Sequence, residues 1–408
     1  MDNAPPGSDR CLGAFIVALN QSADGEKWYT STAQLQLASL EFFVACRSVS
    51  TLGLKVDNTT PWHLLSSDAV TDTVTRVPAL LPRSVTWESH RPFDGLVWAA
   101  SVRELTFGFG FNHPVNEFIW PPSLQKLGFG YFFDQAVAEV RWPDGLQELS
   151  FFGVFNQPIA EVRWPDGLQQ LWFHGDDFNQ PIADVMWPDG LQELSFYGNF
   201  NQPIADVTWP NGLQNVSFYG CFNKPIARVT WPNGLKQLLF NGDFNQPITD
   251  VTWPNGLQHL SIYGDFNRPI TDVTWPNGLK QLLFHGDFNK PIARVKWPNG
   301  LRDLSIAGAF NQPIADVTWP NGLQSVRFDG YFNQPIAGVK WPDGLQKLSF
   351  KGDFNQPIAE VLWPDGLQLL SFNGDFNQLI DDVVWPASLQ HLEIVDRIVE
   401  LSDRRGNK

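Results

Sequence analysis

The amino-acid sequence predicts a mainly β solenoid, a chain wound into stacked coils, and three observations lead to it. Tryptophan returns every 22 residues from Trp98 to Trp385, with one step of 23 between Trp164 and Trp187. Between the tryptophans the apolar letters run L-x-x-L-x-F, as in Leu191, Leu194 and Phe196, and then I-x-x-V-x-W, as in Ile204, Val207 and Trp209. Each phrase closes on Pro-Asp-Gly or Pro-Asn-Gly, residues that favour a tight turn. A strict period of this length marks a repeat array, whose units cannot bury their apolar sides alone and must stack.

The elements follow in chain order. Residues 1–97 do not keep the period and read as an N-terminal cap with degenerate repeats, because the open end of an array has to be covered. Within it "QLQLASLEFFVACRSV" (34–49) has the look of a helix, "SVSTLGLKVD" (48–57) of a degenerate coil, and "LPRSV" (81–85) mimics "WPDGL". Residues 98–395 are the array. Alternation at the end of L-x-x-L-x-F sends Leu194 and Phe196 to one face of a strand and Ser195 and Tyr197 to the other. A turn with Gly198, Phe200 and Asn201 follows, then the I-x-x-V-x-W side. In the closing corner proline presets φ, Asp or Asn favours the bend, and glycine is expected to accept positive φ. One unit is therefore a loop of chain with two straight sides and two corners. The extra residue of the 23-residue step lies in "HGDDFN" (174–179), which argues for a surface turn there. Residues 396–408 are polar and close the far end.

Composition narrows the function. The chain has 408 residues, a net charge of −15 and only 17% charged residues, which disfavours a nucleic-acid groove. No run approaches the ~18 apolar residues needed to cross a bilayer, so no membrane partner is expected. Cys11, Cys46 and Cys221 make neither a disulfide framework nor a zinc site, and the first residues lack a basic leader. A cytoplasmic, soluble protein is the reading. The histidines form no metal-spaced pair, and no phosphate loop, nucleophile elbow or dinucleotide fingerprint is present. Neither catalysis nor a cofactor nor a metal is expected.

The L-x-x-L-x-F phrase is that of a leucine-rich repeat, whose strand lines the concave face. The fuller phrase "LQELSFYGNFNQPI" resembles the FNIP repeat, a 22-residue branch of that superfamily. Units "LTFGFGFNHPV" (105–115) and "LGFGYFFDQAV" (127–137) match its glycine placement, while later units move the glycine one place on. Lys224, Arg268 and Lys290 stand for the usual Gln, and Leu379 for the usual Pro. The resemblance implies a right-handed parallel solenoid and an interaction role, with no common catalytic activity. Some such proteins carry an F-box ahead of the array, but its Leu-Pro-led helical start is not visible in residues 1–97.

The constant letters read as scaffold. The Asn after Phe, as in Asn179, Asn201 and Asn245, is expected to satisfy backbone groups at the corner of the next coil, and Asp134 keeps the acceptor where it replaces Asn. The tryptophans read as a packed spine rather than a sugar-stacking platform. Asp243, Asp265, Asp287, Asp353 and Asp375 invite a calcium reading, but Asp beside Gly is ordinary turn chemistry. Thr208, Thr230, Thr252 and Thr274 share a column with Arg163, Lys296 and Lys340, which spoils an ice-binding plane. The letters that change lie on the other face of the strand. They nominate Phe152, Trp172, His174, Tyr197, Tyr219, Leu239, Tyr263, Leu283 and His285 as contacts for another protein, of identity and stoichiometry left open. The rival reading is a polysaccharide-binding or polysaccharide-active solenoid.

Overall fold

The computed structural model describes residues 53–56, 83–88, 98, 101–394 and 397–400. Strands and turns make up these residues, and no helix occurs among them. The helix expected over 34–49 and most of the cap lie outside the described residues. The chain divides into two compact units, Met1–Gln157 and Pro158–Lys408.

The first unit is a parallel ladder of β1 (Gly53–Val56), β2 (Ser84–Trp87), β3 (Glu104–Phe107), β4 (Lys126–Phe129) and β5 (Glu148–Gly153). Leu54 pairs with Val85, Val85 with Leu105 and Leu105 with Leu127. Two strands ahead of residue 98 thus join the ladder, at the "TLGLKV" and "RSVTW" phrases. The second unit carries β6 (Gln170–Gly175), β7 (Glu193–Phe196), β8 (Asn215–Gly220), β9 (Gln237–Gly242), β10 (His259–Gly264) and β11 (Gln281–Gly286). It continues with β12 (Asp303–Gly308), β13 (Ser325–Phe328), β14 (Lys347–Gly352), β15 (Leu369–Gly374) and β16 (His391–Ile394), all parallel in sequence order. An antiparallel strand, β17 (Arg397–Glu400), pairs with β16 and ends the ladder.

Register follows the period letter for letter. Leu194 pairs with Val216, Val216 with Leu238 and Leu238 with Leu260, while Phe196, Phe218, Phe240 and Ile262 form the row beside them. A slip of one residue would turn every buried side chain to solvent, so the alternation fixes the pairing. All seven apolar letters of the phrase are inside: Leu191, Leu194, Phe196, Phe200 and Ile204 are fully buried, and Val207 and Trp209 nearly so. Phe196 stacks on Phe200 at 4.2 Å and on Phe218 at 5.7 Å, so rings of one coil bridge to the next. Trp209 and Trp231 stack at 5.8 Å along the other side. The indole N–H groups of Trp209, Trp231, Trp253 and Trp275 have no hydrogen-bond acceptor among the described residues, so packing alone holds this spine.

Two expectations are corrected. The second straight side is not a strand. Ala205 and Asp206 form a turn, and the Val207 N–H donates to the Ile204 carbonyl at 3.4 Å. A three-residue spacing places Ile204 and Val207 on the same inner side through a turn, whereas a strand would need alternation. The glycine of the Pro-Asx-Gly corner does not use positive φ. At Gly256 a β-carbon would come within 2.7 Å of the Asn233 carbonyl oxygen of the preceding coil, so close approach between coils selects glycine here. Positive φ belongs to the glycine at the strand exit: Gly242 has φ of +122°.

The asparagine ladder is formed as expected. The Asn201 N–H donates to Asn179 Oδ1 at 2.9 Å, and the Asn267 N–H to Asn245 Oδ1 at 3.0 Å. Asp134 accepts from the Asn156 N–H at 2.9 Å in the same geometry. Asp176 and Asp177, around the inserted residue, are both exposed.

Candidate partner-binding face

The face is built by residues that must point away from the core because their neighbours point in. On β6, Leu171 and Phe173 are buried, which turns Trp172 and His174 outward. On β8 and β10, Val216, Phe218, Leu260 and Ile262 do the same for Tyr219 and Tyr263. All of Trp172, His174, Tyr197, Tyr219, Leu239, Tyr263, Leu283 and His285 are half-buried, shielded by ladder neighbours yet open to solvent. Ser195, in the same rows, is only 4% exposed and Ala307 9%, so not every outward position reaches solvent.

The rings are ordered into two runs. Trp172 stacks on His174 at 5.6 Å, His174 meets Tyr197 edge-on at 4.3 Å, and Tyr197 stacks on Tyr219 at 4.1 Å with planes 14° apart. Asn241 on β9 interrupts the column, pairing with Tyr219 on one side and Tyr263 on the other. Tyr263 then meets His285 edge-on at 4.7 Å. Leu239 and Leu283 lie one row back, each beside a serine of the neighbouring strand. Polar bonds pin the two ends of the stretch. The Trp172 indole N–H donates to Glu193 Oε1 at 2.9 Å, and His285 Nε2 lies 2.8 Å from Ser305 Oγ.

Burial sets the electrostatics of this row. It pushes the Tyr197 phenol up to about 12, helped by a hydrogen bond with Tyr219 and by the charges of Tyr219 and Glu193. The same desolvation holds His174 and His285 below the ordinary imidazole value, with Arg327 adding to the effect at His285. Both imidazoles are therefore neutral at pH 7. At the strand exits stand exposed carboxylates, Asp243, Asp265 and Asp287, on three successive coils. Their backbone N–H groups donate to the carbonyls of Gly220, Gly242 and Gly264, which keeps the three in line. No group of three or more His, Cys, Asp or Glu side chains positioned to hold a metal occurs among the described residues.

The sequence profile of the FNIP Repeat matches residues 155–198, 178–221, 222–265, 310–353 and 354–396. The chain carries FNIP repeats. Among solved structures, the FNIP coils are similar to CroV588, described as a novel circular LRR protein. That match has 34% identity and a TM-score of 0.63, over 77% of this chain and 50% of CroV588. They also share their fold with the Toll–Spatzle complex of Drosophila, at 11% identity and a TM-score of 0.53, over 86% of this chain and 55% of the other. The chain spans about half the length of each of these proteins. Comparison with curated proteins finds no match.

Phe152 belongs to the first unit, where it lies near the end of β5 and is 42% exposed. Sequence reasoning missed other exposed rings of that unit. Phe109 is 65% exposed, Phe132 45% and Tyr131 40%. Phe109 stacks on Tyr131 at 5.0 Å and meets Phe132 edge-on at 4.8 Å. The signal was present in "GFGFN" and "GYFFD", where these units place aromatic residues in the turn that most later units fill with Gly and Asp or Asn, Tyr331 being a later aromatic exception at 62% exposure. Elsewhere in the first unit, Phe118, Ile119, Trp120, Pro122 and Arg141 line an open depression of about 380 Å³.

Proposed function

We propose that this chain is a non-enzymatic, cytoplasmic scaffold that binds another protein through the outer face of strands β6 to β11. One observation carries the reading: the run Trp172, His174, Tyr197 and Tyr219 is held half-open to solvent on a ladder whose inner rows are fully buried. Rigid aromatic groups on a fixed frame lose little freedom on binding, which is why they dominate contact energies. The fold supports the same role, since the similar Toll structure is that of a complex with Spatzle. The cytoplasmic setting rests on composition, with cysteines too few for a disulfide framework.

A polysaccharide platform fits the geometry less well. Sugars stack on open ring faces, whereas Tyr197 and Tyr219 cover each other face to face at 4.1 Å. The test is the triple variant Tyr197→Ser, Tyr219→Ser, Tyr263→Ser, compared with the wild type for capture of proteins from the native cell extract. Because serine already occupies the next outward row at Ser217 and Ser261, the variant keeps its fold and loses its captured partner. Unchanged capture by the folded triple variant would refute the assignment.

A further inference from the structure

We propose that the partner presents a basic, extended segment to this face, its Lys or Arg side chains pairing with the carboxylate line Asp243, Asp265 and Asp287; this rests on the reading of the face as the partner site. The three carboxylates are exposed and stand on consecutive coils, just beyond Asn241, Tyr263 and His285 in the chain. Neighbouring coils lie about 4.8 Å apart, so the line carries like charges on consecutive coils, which a row of cationic side chains complements. Among the described residues of the second unit, the ion pair that forms does not include them: Arg327 pairs with Asp329. Each backbone at these positions is fixed by a hydrogen bond of 2.8 to 2.9 Å to the previous coil, so the three side chains spring from a regular frame. The net charge of −15 draws a cationic segment toward the chain as a whole.

Geometry also selects the spacing. From Asp243 to Asp287 is two coil steps, roughly 10 Å. A polyproline-II segment rises about 3.1 Å per residue with three residues per turn. Basic side chains three residues apart therefore lie on one side of it, roughly 9 Å apart, and match the two ends of the line. In the outward row alongside, Tyr263 stands on the middle coil, between Asn241 and His285.

The experiment uses the full chain and a fluorescein-labelled peptide of four Arg-Gly-Gly repeats, followed by anisotropy at low and high salt. Against it stands a block peptide, four arginines followed by eight glycines, of the same composition but the wrong spacing. The variant Asp243→Asn, Asp265→Asn, Asp287→Asn removes the line; Asn199 already occupies that position after β7, so the fold accommodates it. A charge-matched variant, Asp184→Asn, Asp206→Asn, Asp250→Asn, removes three exposed carboxylates from the turn side instead. The expected result is that the first variant weakens binding of the repeat peptide at least about tenfold and the second less than about twofold, with the contrast fading at high salt. Equal weakening by both variants, equal affinity for both peptides, or no binding by the wild type at low salt would overturn the proposal. If the aspartate variant has no effect while the tyrosine variant still loses capture, the basic chemistry fails and the face stands. If the tyrosine variant keeps its capture, the face itself fails.

Discussion

Replacing Asn245 by alanine tests the side-chain bond that repeats most often between coils. Asn245 Oδ1 accepts the Asn267 backbone N–H at 3.0 Å, and its own N–H donates to Asn223 Oδ1 at 3.0 Å. The alanine variant keeps the second bond and removes the first. Its backbone carbonyl still accepts from Arg268 Nε, a contact of 2.8 Å in the native chain. The loss is therefore one acceptor, which leaves a donor unpaired at a cost of about 1–3 kcal/mol. The corner is half-buried, so water reaches part of it and the lower end applies, about 1–2 kcal/mol. Native-state hydrogen exchange reads this at the Asn267 amide, which is expected to exchange roughly 5- to 30-fold faster. Asn245→Asp keeps the acceptor, as Asp134 does in the first unit, and leaves exchange within about threefold of the wild type. An unchanged rate in the alanine variant, or equal damage from aspartate, would refute the ladder as a stabilising device.

Two further predictions concern backbone and pH. Gly242→Ala places a side chain at φ of +122° and drives its methyl into the Gly220 carbonyl, so it costs at least about 1–2 kcal/mol. Gly338→Ala, where a β-carbon meets only the Ala315 methyl at 3.8 Å, stays within about 0.5 kcal/mol; urea midpoints compare the two. His174 and His285 have values held below the ordinary 6.5 by burial. Below that pH the unfolded chain takes up protons that the folded chain refuses, so stability is lost as pH falls from about 6.5. Thermal midpoints of His174→Gln, His285→Gln are expected to fall less steeply over that window than those of the wild type, and parallel slopes would contradict the burial argument.

Much of this was legible in the letters because a period forces every unit to solve the same packing problem. Leu194, Phe196, Phe200 and Trp209 had to be inside, since nothing else in 22 residues could form a core. Asn201 and its ladder mates had to satisfy a corner. The sequence was less informative where two physical solutions share one spelling. I-x-x-V fits a straight side or a tight turn, and only the turn at Ala205 and Asp206 decides. Pro-Asx-Gly reads as a positive-φ corner, yet the glycine answers to the carbonyl of the preceding coil, a contact between residues 22 or more apart. The outward columns were read correctly as outward, but exposure within them depends on neighbours: Ser195 is closed off and Tyr219 is not. Phe109, Tyr131 and Phe132 escaped notice because the glycine of their units stands one place earlier, at Gly108 and Gly130, which leaves aromatic residues in the turn itself.

The central claim is that the outward strand rows of the second unit, and not its turn side, meet the partner. Photocrosslinking in the native cell tests it most directly, with p-benzoylphenylalanine placed at Tyr219 in one variant and at Thr230, exposed on the turn side, in another. The account predicts a discrete crosslinked protein from position 219 and none from position 230. Crosslinking from 230 alone would put the partner on the opposite side and contradict it.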